Sequence, residues 1–156
     1  MFGLFSKKPL IITSPVNGTV VELQATNDEV FANNLAGDGV AIIPSDGDFV
    51  SPIDGVISKI FDTNHAFIIK SKQGIEVTVH IGIDTVYLDS KAFERIAKEG
   101  DSVKAGDLII RADLEYIHDN AKEIITPIII ADEKSYKSIE KSFGKVTKDM
   151  TIMEVK

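Results

Sequence analysis

A short sequence repeat places the strongest constraint on how this chain folds. Ser14-Pro15-Val16-Asn17-Gly18-Thr19-Val20 returns as Ser51-Pro52-Ile53-Asp54-Gly55-Val56-Ile57, with Ser, Pro, a β-branched residue, Gly and a second β-branched residue at equal spacing. In each copy, Pro followed by Asn or Asp and then Gly favours a tight turn that leads into an extended strand. The repeat therefore predicts two similar turn-and-strand units, which are typical of a β-rich domain.

Short strands punctuated by Gly, Asp and Asn account for most of the remaining pattern. We predict strands near residues 10–13, 16–23, 39–43, 55–61, 65–70, 75–81, 108–112, 127–130 and 151–155. The alternation of strands and longer helices that builds a parallel nucleotide-binding sheet is missing from the pattern. The predicted fold is an all-β antiparallel sandwich or flattened barrel with an internal repeat and a few short helical turns.

Three brief helical patterns interrupt the strands. The first two, at residues 30–35 and 93–97, are each closed by a glycine. The third, at residues 114–121, follows Asp113, whose carboxylate is suited to cap the first turn. His118 lies on this third pattern beside its apolar stripe, so we expect a partly buried structural residue.

Composition and charge exclude several classes of function. The chain has 156 residues, no cysteine and a formal net charge of −7. Without cysteine there are no disulfides, thiolate metal sites or cysteine nucleophiles, and the acidic balance favours basic protein partners over nucleic acid. No apolar stretch is long enough to span a bilayer and no secretory signal is present, so we expect a cytoplasmic protein without stable membrane insertion. Residues 1–9 are predicted to be a flexible segment and residues 10–156 to form one domain.

Two of the three histidines flank a predicted hairpin. A four-residue loop, or a two-residue turn with the same register, pairs Lys70 with Ile75 and therefore His65 with His80. A three-residue loop would send the two imidazoles to opposite faces, and we expect the even loop. Paired residues have Cβ atoms about 4.5–5.5 Å apart, so both rings could address one small group. The alternation of apolar and polar residues over 75–80 places His80 on the polar face.

Several interpretations of this pair stay open at this point. The two histidines could be neighbours, or a hydrogen-bonded pair, without chemistry. They could hold zinc if Asp84 or Glu76 supplies a third ligand. A neutral imidazole could also act as a nucleophile at neutral pH. Thr63 could fix the tautomer of one ring, while Asp84 adds a negative charge or caps a turn.

Ordered blocks of sequence closely resemble a known bacterial family. They are Thr63-Asn64-His65-Ala66-Phe67, Val79-His80-Ile81-Gly82-Ile83-Asp84-Thr85-Val86 and Gly37-Asp38-Gly39-Val40-Ala41-Ile42. Together with the Pro-x-x-Gly repeats and Ala-Gly-Asp at 105–107, they resemble the glucose-type enzyme IIA of the bacterial phosphoenolpyruvate:sugar phosphotransferase system, over roughly residues 10 to 156. The resemblance implies an antiparallel β-sandwich with short helical turns.

The resemblance also implies a phosphotransferase that works as a phosphocarrier. His80 would carry the phosphoryl group on Nε2, His65 would stabilise that group, and Thr63 would hydrogen-bond a histidine of the site. We count Asp84 with these catalytic residues. The donor would be the histidine phosphocarrier protein HPr and the acceptor a cysteine on the IIB domain of a sugar permease, with no cofactor required.

An apolar docking collar around the site is a further implication of the resemblance. The positions that match this collar are Val30, Phe31, Leu35, Phe61, Phe67 and Val86. An acidic rim formed by Asp28, Asp62 and Asp84 would suit a partner with a basic rim.

The resemblance leaves a regulatory alternative open. Enteric relatives inhibit permeases and glycerol kinase when unphosphorylated, and share a zinc ion with the kinase through the two histidines, here His65 and His80. Thr78 and Tyr87 depart from these relatives at the regulatory docking surface, where the relatives carry a bulky apolar residue and an acid. The alternative function is a phosphorylation-dependent regulatory binding module in carbon-source signalling, with a zinc site shared with a partner.

Overall fold

Antiparallel pairing joins all the neighbouring strands in this computed structural model, which describes residues 8–88 and 91–156. The strands are β1 (Leu10–Thr13), β2 (Gly18–Glu22), β3 (Asp38–Pro44), β4 (Asp48–Val50), β5 (Gly55–Ile60), β6 (Ala66–Lys70), β7 (Glu76–His80), β8 (Phe93–Arg95), β9 (Ser102–Val103), β10 (Leu108–Ala112), β11 (Thr126–Ile130), β12 (Ile139–Lys141), β13 (Gly144–Val146) and β14 (Thr151–Val155). They form one eight-stranded sheet, β13-β2-β3-β11-β7-β6-β5-β9, and two three-stranded sheets, β1-β14-β12 and β4-β10-β8. The predicted all-β antiparallel fold class is confirmed, and no sheet closes into a barrel among the described residues.

Side chains from all three sheets meet in one hydrophobic core. Phe67 and Val79 enter it from the eight-stranded sheet, Phe49 from β4 and Met153 from β14. The alternation in β7, where Val77 and Val79 are buried between more exposed residues, directs its polar residues away from this core. The eight-stranded sheet therefore has a core face and an outer face, and the polar residues of β7 belong to the outer one.

A second, smaller apolar cluster covers part of the outer face. It contains Leu23, Ala41, Ile83, Ile125 and Ile129, with Phe31 packed against it. Because Ala41 and Ile129 alternate along β3 and β11 with residues of the main core, they point to the opposite side of the sheet. This cluster forms the floor on which the short α1 helix (Glu29–Ala32) lies.

The two copies of the sequence repeat lie against each other. The amide of Thr13, just before the first copy, donates to the carbonyl of Pro52 at 2.9 Å, and the amide of Val50 donates to the carbonyl of Pro15 at 2.7 Å. In each copy the serine hydroxyl donates to the carbonyl two residues further on, at 2.6 Å. The repeat in the sequence is therefore also a repeat in the structure, with reciprocal hydrogen bonds between its copies.

Two of the three predicted helical patterns are helices. The α1 helix begins after Asp28, and α2 (Leu114–Asn120) begins after Asp113, whose carboxylate accepts from the Tyr116 amide at 3.1 Å as expected. The helix predicted at residues 93–97 is wrong, because β8 forms there and hydrogen-bonds to β10. Tertiary pairing with a neighbouring strand outweighs a weak local helical pattern.

Two further predictions concern His118 and the N-terminal segment. His118 is exposed and pairs with Asp119 at 3.2 Å, so the expectation that it is partly buried is wrong. It lies on the solvent side of α2, whereas the adjacent Ile117 is fully buried. Most of the segment predicted to be flexible, residues 1–9, lies outside the described residues.

Candidate functional site

The hairpin of β6 and β7 differs from its predicted register by one residue. His80 lies opposite Ala66, and Lys70 lies opposite Glu76. The predicted pairing of His65 with His80 is therefore wrong, because the intervening loop has five residues, 71–75, rather than four. A shift of one position is expected to place two regular strand residues on opposite faces.

The two imidazole rings nevertheless meet. Their centroids are 4.9 Å apart, with an angle of 79° between the ring planes. His65 precedes β6 in a bend and follows Asn64, which has a left-handed backbone with φ of 61°. Its side chain therefore does not follow the alternation of the strand. The histidine carbonyl still accepts from the Ile81 amide at 2.7 Å, which fixes the bend to the end of β7.

A backbone carbonyl sets the tautomer of His80. Its Nδ1 lies 2.8 Å from the carbonyl oxygen of Gly82. Since a carbonyl only accepts, Nδ1 carries the hydrogen and Nε2 keeps its lone pair. Gly82 reaches this position with φ of 77°, and an added Cβ would lie 2.9 Å from the carbonyl of Glu123 and 2.5 Å from a methyl of Thr85. Glycine is therefore required at this turn.

Both histidines are neutral at physiological pH. Burial, and then the nearby His80, lowers the pKa of His65 from 6.5 to about 4. Burial also lowers the pKa of His80, while the Gly82 carbonyl and then the charges of Asp28 and Asp84 act in the opposite direction. The site therefore combines an uncharged imidazole with groups that favour positive charge on that ring.

One phenylalanine ring lies beside each of the two imidazoles. Phe31 lies 5.0 Å from His80 and Phe61 lies 5.5 Å from His65, measured between ring centroids. The carboxylate of Asp28 caps α1 by accepting from the amides of Val30 and Phe31, at 2.9 and 3.3 Å. The Asp28 carboxylate therefore caps the helix that carries Phe31 and also places a negative charge near His80.

Thr63 and Asp84 occupy different positions around the pair. The Thr63 hydroxyl hydrogen-bonds to Nδ1 of His65, as the sequence interpretation expects. Asp84 is exposed, has a left-handed φ of 59° and precedes a turn of 3₁₀ helix, Thr85–Tyr87. Its side chain makes no capping hydrogen bond to that turn, so the interpretation as a cap is wrong and its influence on His80 is electrostatic.

Five of the six expected docking residues are at least partly exposed, and one is buried. Val30 and Val86 are exposed, Leu35 is 72% exposed, and Phe31 and Phe61 are partly buried. Phe67 has no exposed surface, so its assignment to the docking collar is wrong. It follows Ala66 on β6 and points to the core face, since neighbouring strand residues alternate.

The site does not by itself complete a zinc centre. No group of three His, Cys, Asp or Glu side chains that could hold a metal occurs within residues 8–88 and 91–156. Glu76, one of the suggested third ligands, lies at the opposite end of β7 from His80 and accepts from Ser58 at 3.3 Å. Zinc sites need at least three protein ligands, so His65 and His80 are an incomplete set.

Three residues were not assigned to the site from the sequence. Asn64 and Arg95 hydrogen-bond to each other at 2.7 Å beside the His65 bend. Tyr87 was noted only as a departure at the regulatory surface, and it is 85% exposed next to Val86. Arg95 belongs to a different sheet, so no local pattern could connect it with the histidines.

Comparison with known proteins identifies the family. Residues 10–136 match the family described as the phosphoenolpyruvate-dependent sugar phosphotransferase system, EIIA 1. The chain is 45% identical to the glucose-specific EIIA component of the phosphotransferase system from Borreliella burgdorferi, over 90% of this chain and 74% of that one. It is 46% identical to the component of the same name from Haemophilus influenzae, over 86% of this chain and 81% of that one.

A solved structure and a longer relative agree with this match. The glucose permease IIA from Mycoplasma capricolum superposes with a TM-score of 0.90 at 35% identity, over 96% of this chain and 97% of that one. The N-acetylglucosamine-specific EIICBA component from Klebsiella pneumoniae is 41% identical over 93% of this chain, but only 23% of that longer protein is covered. Among the described residues, none of the helices has the length and apolar character needed to cross a membrane.

This chain belongs to the EIIA 1 family of the phosphoenolpyruvate-dependent sugar phosphotransferase system. It is a phosphotransferase of the phosphocarrier type, as the sequence resemblance implies. The matches favour this carrier function over the regulatory alternative.

Proposed function

We propose that Nε2 of His80 accepts a phosphoryl group from the phosphorylated histidine carrier HPr and passes it to a cysteine on the IIB domain of a sugar permease. The observation that carries this proposal is the 2.8 Å contact from Nδ1 of His80 to the Gly82 carbonyl. That contact leaves the lone pair on Nε2 of a neutral ring, which is the form of imidazole that attacks phosphorus. The cytoplasmic location expected from the sequence is part of this proposal.

The phosphoryl transfer requires neither a cofactor nor a nucleotide. The Nε2 lone pair forms a bond to phosphorus while the bond from phosphorus to the donor nitrogen breaks. Because Nδ1 keeps its hydrogen, the phosphorylated His80 ring carries positive charge. The Gly82 carbonyl, Asp28 and Asp84 all favour that charge. In the second step a cysteine thiolate of the acceptor attacks phosphorus, the N–P bond breaks, and His80 returns as a neutral imidazole.

His65 is the group that stabilises the phosphoryl oxygens during transfer. Its ring lies 4.9 Å from His80 and its side chain is buried, with 5% exposure for the residue. When the Thr63 hydroxyl donates to Nδ1, the ring hydrogen resides on Nε2 and provides an N–H donor. A donor that is already fixed in position lowers the barrier because it does not have to reorganise during the reaction.

The surroundings suit docking of a protein partner. The apolar side chains of Val30, Leu35 and Val86 are exposed, and the exposed Asp62 and Asp84 add negative charge. Val30 adjoins Phe31, whose ring contacts His80. A partner with apolar contacts and a basic rim would be steered towards this surface. The relative named EIICBA component, of which this chain covers 23%, supports an acceptor in the B unit of a permease.

Transfer of label from phosphoenolpyruvate tests this proposal. Wild type, His80→Gln, His65→Gln and His118→Gln are incubated with labelled phosphoenolpyruvate, HPr and the general carrier protein that phosphorylates HPr. Acid-labile label is then followed to a IIB acceptor. We expect no label on His80→Gln, and label that passes onward slowly on His65→Gln. The exposed His118 serves as the control, so His118→Gln should behave as wild type. A wild type that takes no label, or a His80→Gln variant that does, contradicts the proposal.

A further inference from the structure

We propose that Arg95 is a positioning residue for the phosphoryl-transfer site, because it holds the loop that directs the His65 ring towards His80. The inference rests on the proposed roles of the two histidines and adds a residue from a different sheet. The hydrogen bonds of the Arg95 guanidinium go to Asn64, Ile60 and Phe61, and not to either histidine. It acts on the segment between β5 and β6, which carries both Thr63 and His65.

One guanidinium contacts three acceptors on this segment. Nε of Arg95 donates to the side-chain oxygen of Asn64 at 2.7 Å. One of its terminal nitrogens, Nη2, donates to the carbonyls of Phe61 at 3.2 Å and Ile60 at 3.4 Å. The loop also receives a contact from the neighbouring segment of the chain, since the Glu99 carboxylate accepts from the Ile60 amide at 3.0 Å. Hydrogen bonds from Arg95, in β8, and to Glu99, which follows β8, therefore hold residues 60–64 in place.

The loop is a tight turn whose shape determines where the His65 ring points. The Asn64 amide donates to the Phe61 carbonyl at 2.7 Å, and the Phe61 amide donates to the Ala66 carbonyl at 3.0 Å. Asn64 adopts a left-handed backbone immediately before His65, which releases the histidine side chain from the alternation of β6. Asn adopts this conformation more readily than other residues with a side chain, but it still costs free energy that surrounding contacts offset. The bond from Arg95 to the Asn64 side chain is such a contact.

Arg95 is itself well anchored. It is the last residue of β8 and lies opposite Ile110 on β10. The next two amides, of Ile96 and Ala97, both donate to the Ile109 carbonyl, at 2.9 and 3.2 Å. The guanidinium therefore projects from a fixed backbone, and its planar fork reaches separate acceptors at the same time. We call the three hydrogen bonds from Arg95 to Asn64, Phe61 and Ile60 the clamp. A lysine ammonium cannot reproduce that geometry, so Arg95→Lys keeps the positive charge and removes the clamp.

The experiment compares four variants with wild type. Arg95→Lys and Asn64→Gly test the clamp, since glycine tolerates the left-handed backbone but lacks the acceptor. Arg111→Lys is the matched control, because Arg111 is an exposed arginine of the same sheet that pairs with Asp48 at 3.2 Å and Glu94 at 3.7 Å. His65→Gln gives the result expected when the stabilising ring is absent. Each variant is first shown by urea unfolding to be folded under assay conditions.

Two readouts separate this inference from the proposed function. The nitrogen chemical shifts of the His65 ring report its tautomer, and need no phosphate. We expect one dominant tautomer in wild type and Arg111→Lys, and averaged shifts in Arg95→Lys and Asn64→Gly. Onward transfer from phosphorylated protein should slow about tenfold to a hundredfold in both clamp variants, because small displacements of catalytic groups have effects of that size.

The outcomes are distinguishable. Averaged His65 shifts with slower transfer support the inference. Unchanged His65 shifts and unchanged transfer in Arg95→Lys overturn it, whatever the effect on stability. Averaged shifts in a protein whose wild type carries no phosphoryl group would overturn the proposed function and leave Arg95 as the residue that positions the ring.

Discussion

Gly82 is the position where the structure gives the sharpest expectation for a single substitution. Its carbonyl accepts from Nδ1 of His80, and its φ of 77° lies in the left-handed region. An alanine there would place Cβ 2.9 Å from the backbone oxygen of Glu123 and 2.5 Å from Cγ2 of Thr85. Thr85 is fully buried, and its hydroxyl donates to the Ile81 carbonyl at 2.6 Å, so its methyl group cannot easily move aside.

The size of the effect follows from two contributions. The left-handed backbone costs alanine about 1–2 kcal/mol, and forcing an extra carbon into a packed region costs a further 1–3 kcal/mol, roughly. Gly82→Ala should therefore lower the free energy of unfolding by about 2–5 kcal/mol. Gly74→Ala is the matched control, since Gly74 has φ of 88° and open space around the added Cβ. Gly74→Ala should lower the free energy of unfolding only by the backbone contribution, about 1–2 kcal/mol.

Urea unfolding at pH 7.5 measures the difference between the two alanine variants. With a slope of about 1–3 kcal/mol per molar urea, the midpoint of Gly82→Ala should lie clearly below that of Gly74→Ala. Phosphorylation of His80 should also slow in Gly82→Ala alone, because the displaced carbonyl no longer fixes the tautomer. Equal midpoints and equal phosphorylation rates for the two variants would refute the reasoning about Gly82.

Three further expectations concern the site and its surroundings. Thr63→Val should leave phosphorylation intact but slow onward transfer about tenfold, measured by label transfer to IIB, since it removes the hydroxyl that orients His65; an unchanged rate would contradict this role. Burial lowers the pKa of His65 to about 4, so the unfolded chain binds more protons between pH 6.5 and 4. Stability should fall as the pH falls through this range, by on the order of 2 kcal/mol at pH 5, and a flat urea profile would contradict it. Phe67→Ala should destabilise the protein by about 3–5 kcal/mol, whereas Leu35→Ala should leave stability unchanged and weaken partner binding in titration calorimetry; the reverse pattern would contradict the two assignments.

The sequence was sufficient for features that depend on local chemistry. The repeat at Ser14 and Ser51 predicted two equivalent turns, and the structure pairs them. The caps at Asp28 and Asp113 lie where their helices begin, although only the second was anticipated as a cap. Such features are predictable because a turn or a cap involves residues within a few positions of each other.

Features that depend on tertiary contacts were harder to predict. The predicted register of the β6–β7 hairpin was wrong by one residue. The two rings nevertheless meet, because His65 lies in a bend before β6, after the left-handed Asn64. Side chains alternate between the two faces along β6, which places Phe67 in the core. The motif match alone did not indicate which face Phe67 occupies. Arg95 comes from another sheet, so only the folded chain shows that it contacts the loop before His65.

The atom that carries the phosphoryl group is the most direct test of the account. Protein labelled with ¹⁵N is phosphorylated through HPr, and the nitrogen shifts and phosphorus couplings of its histidines are recorded by NMR. The hydrogen bond from Nδ1 to the Gly82 carbonyl predicts phosphorus on Nε2 of His80, with the hydrogen retained on Nδ1. Phosphorus on Nδ1 of His80, or on His65, would contradict the central claim.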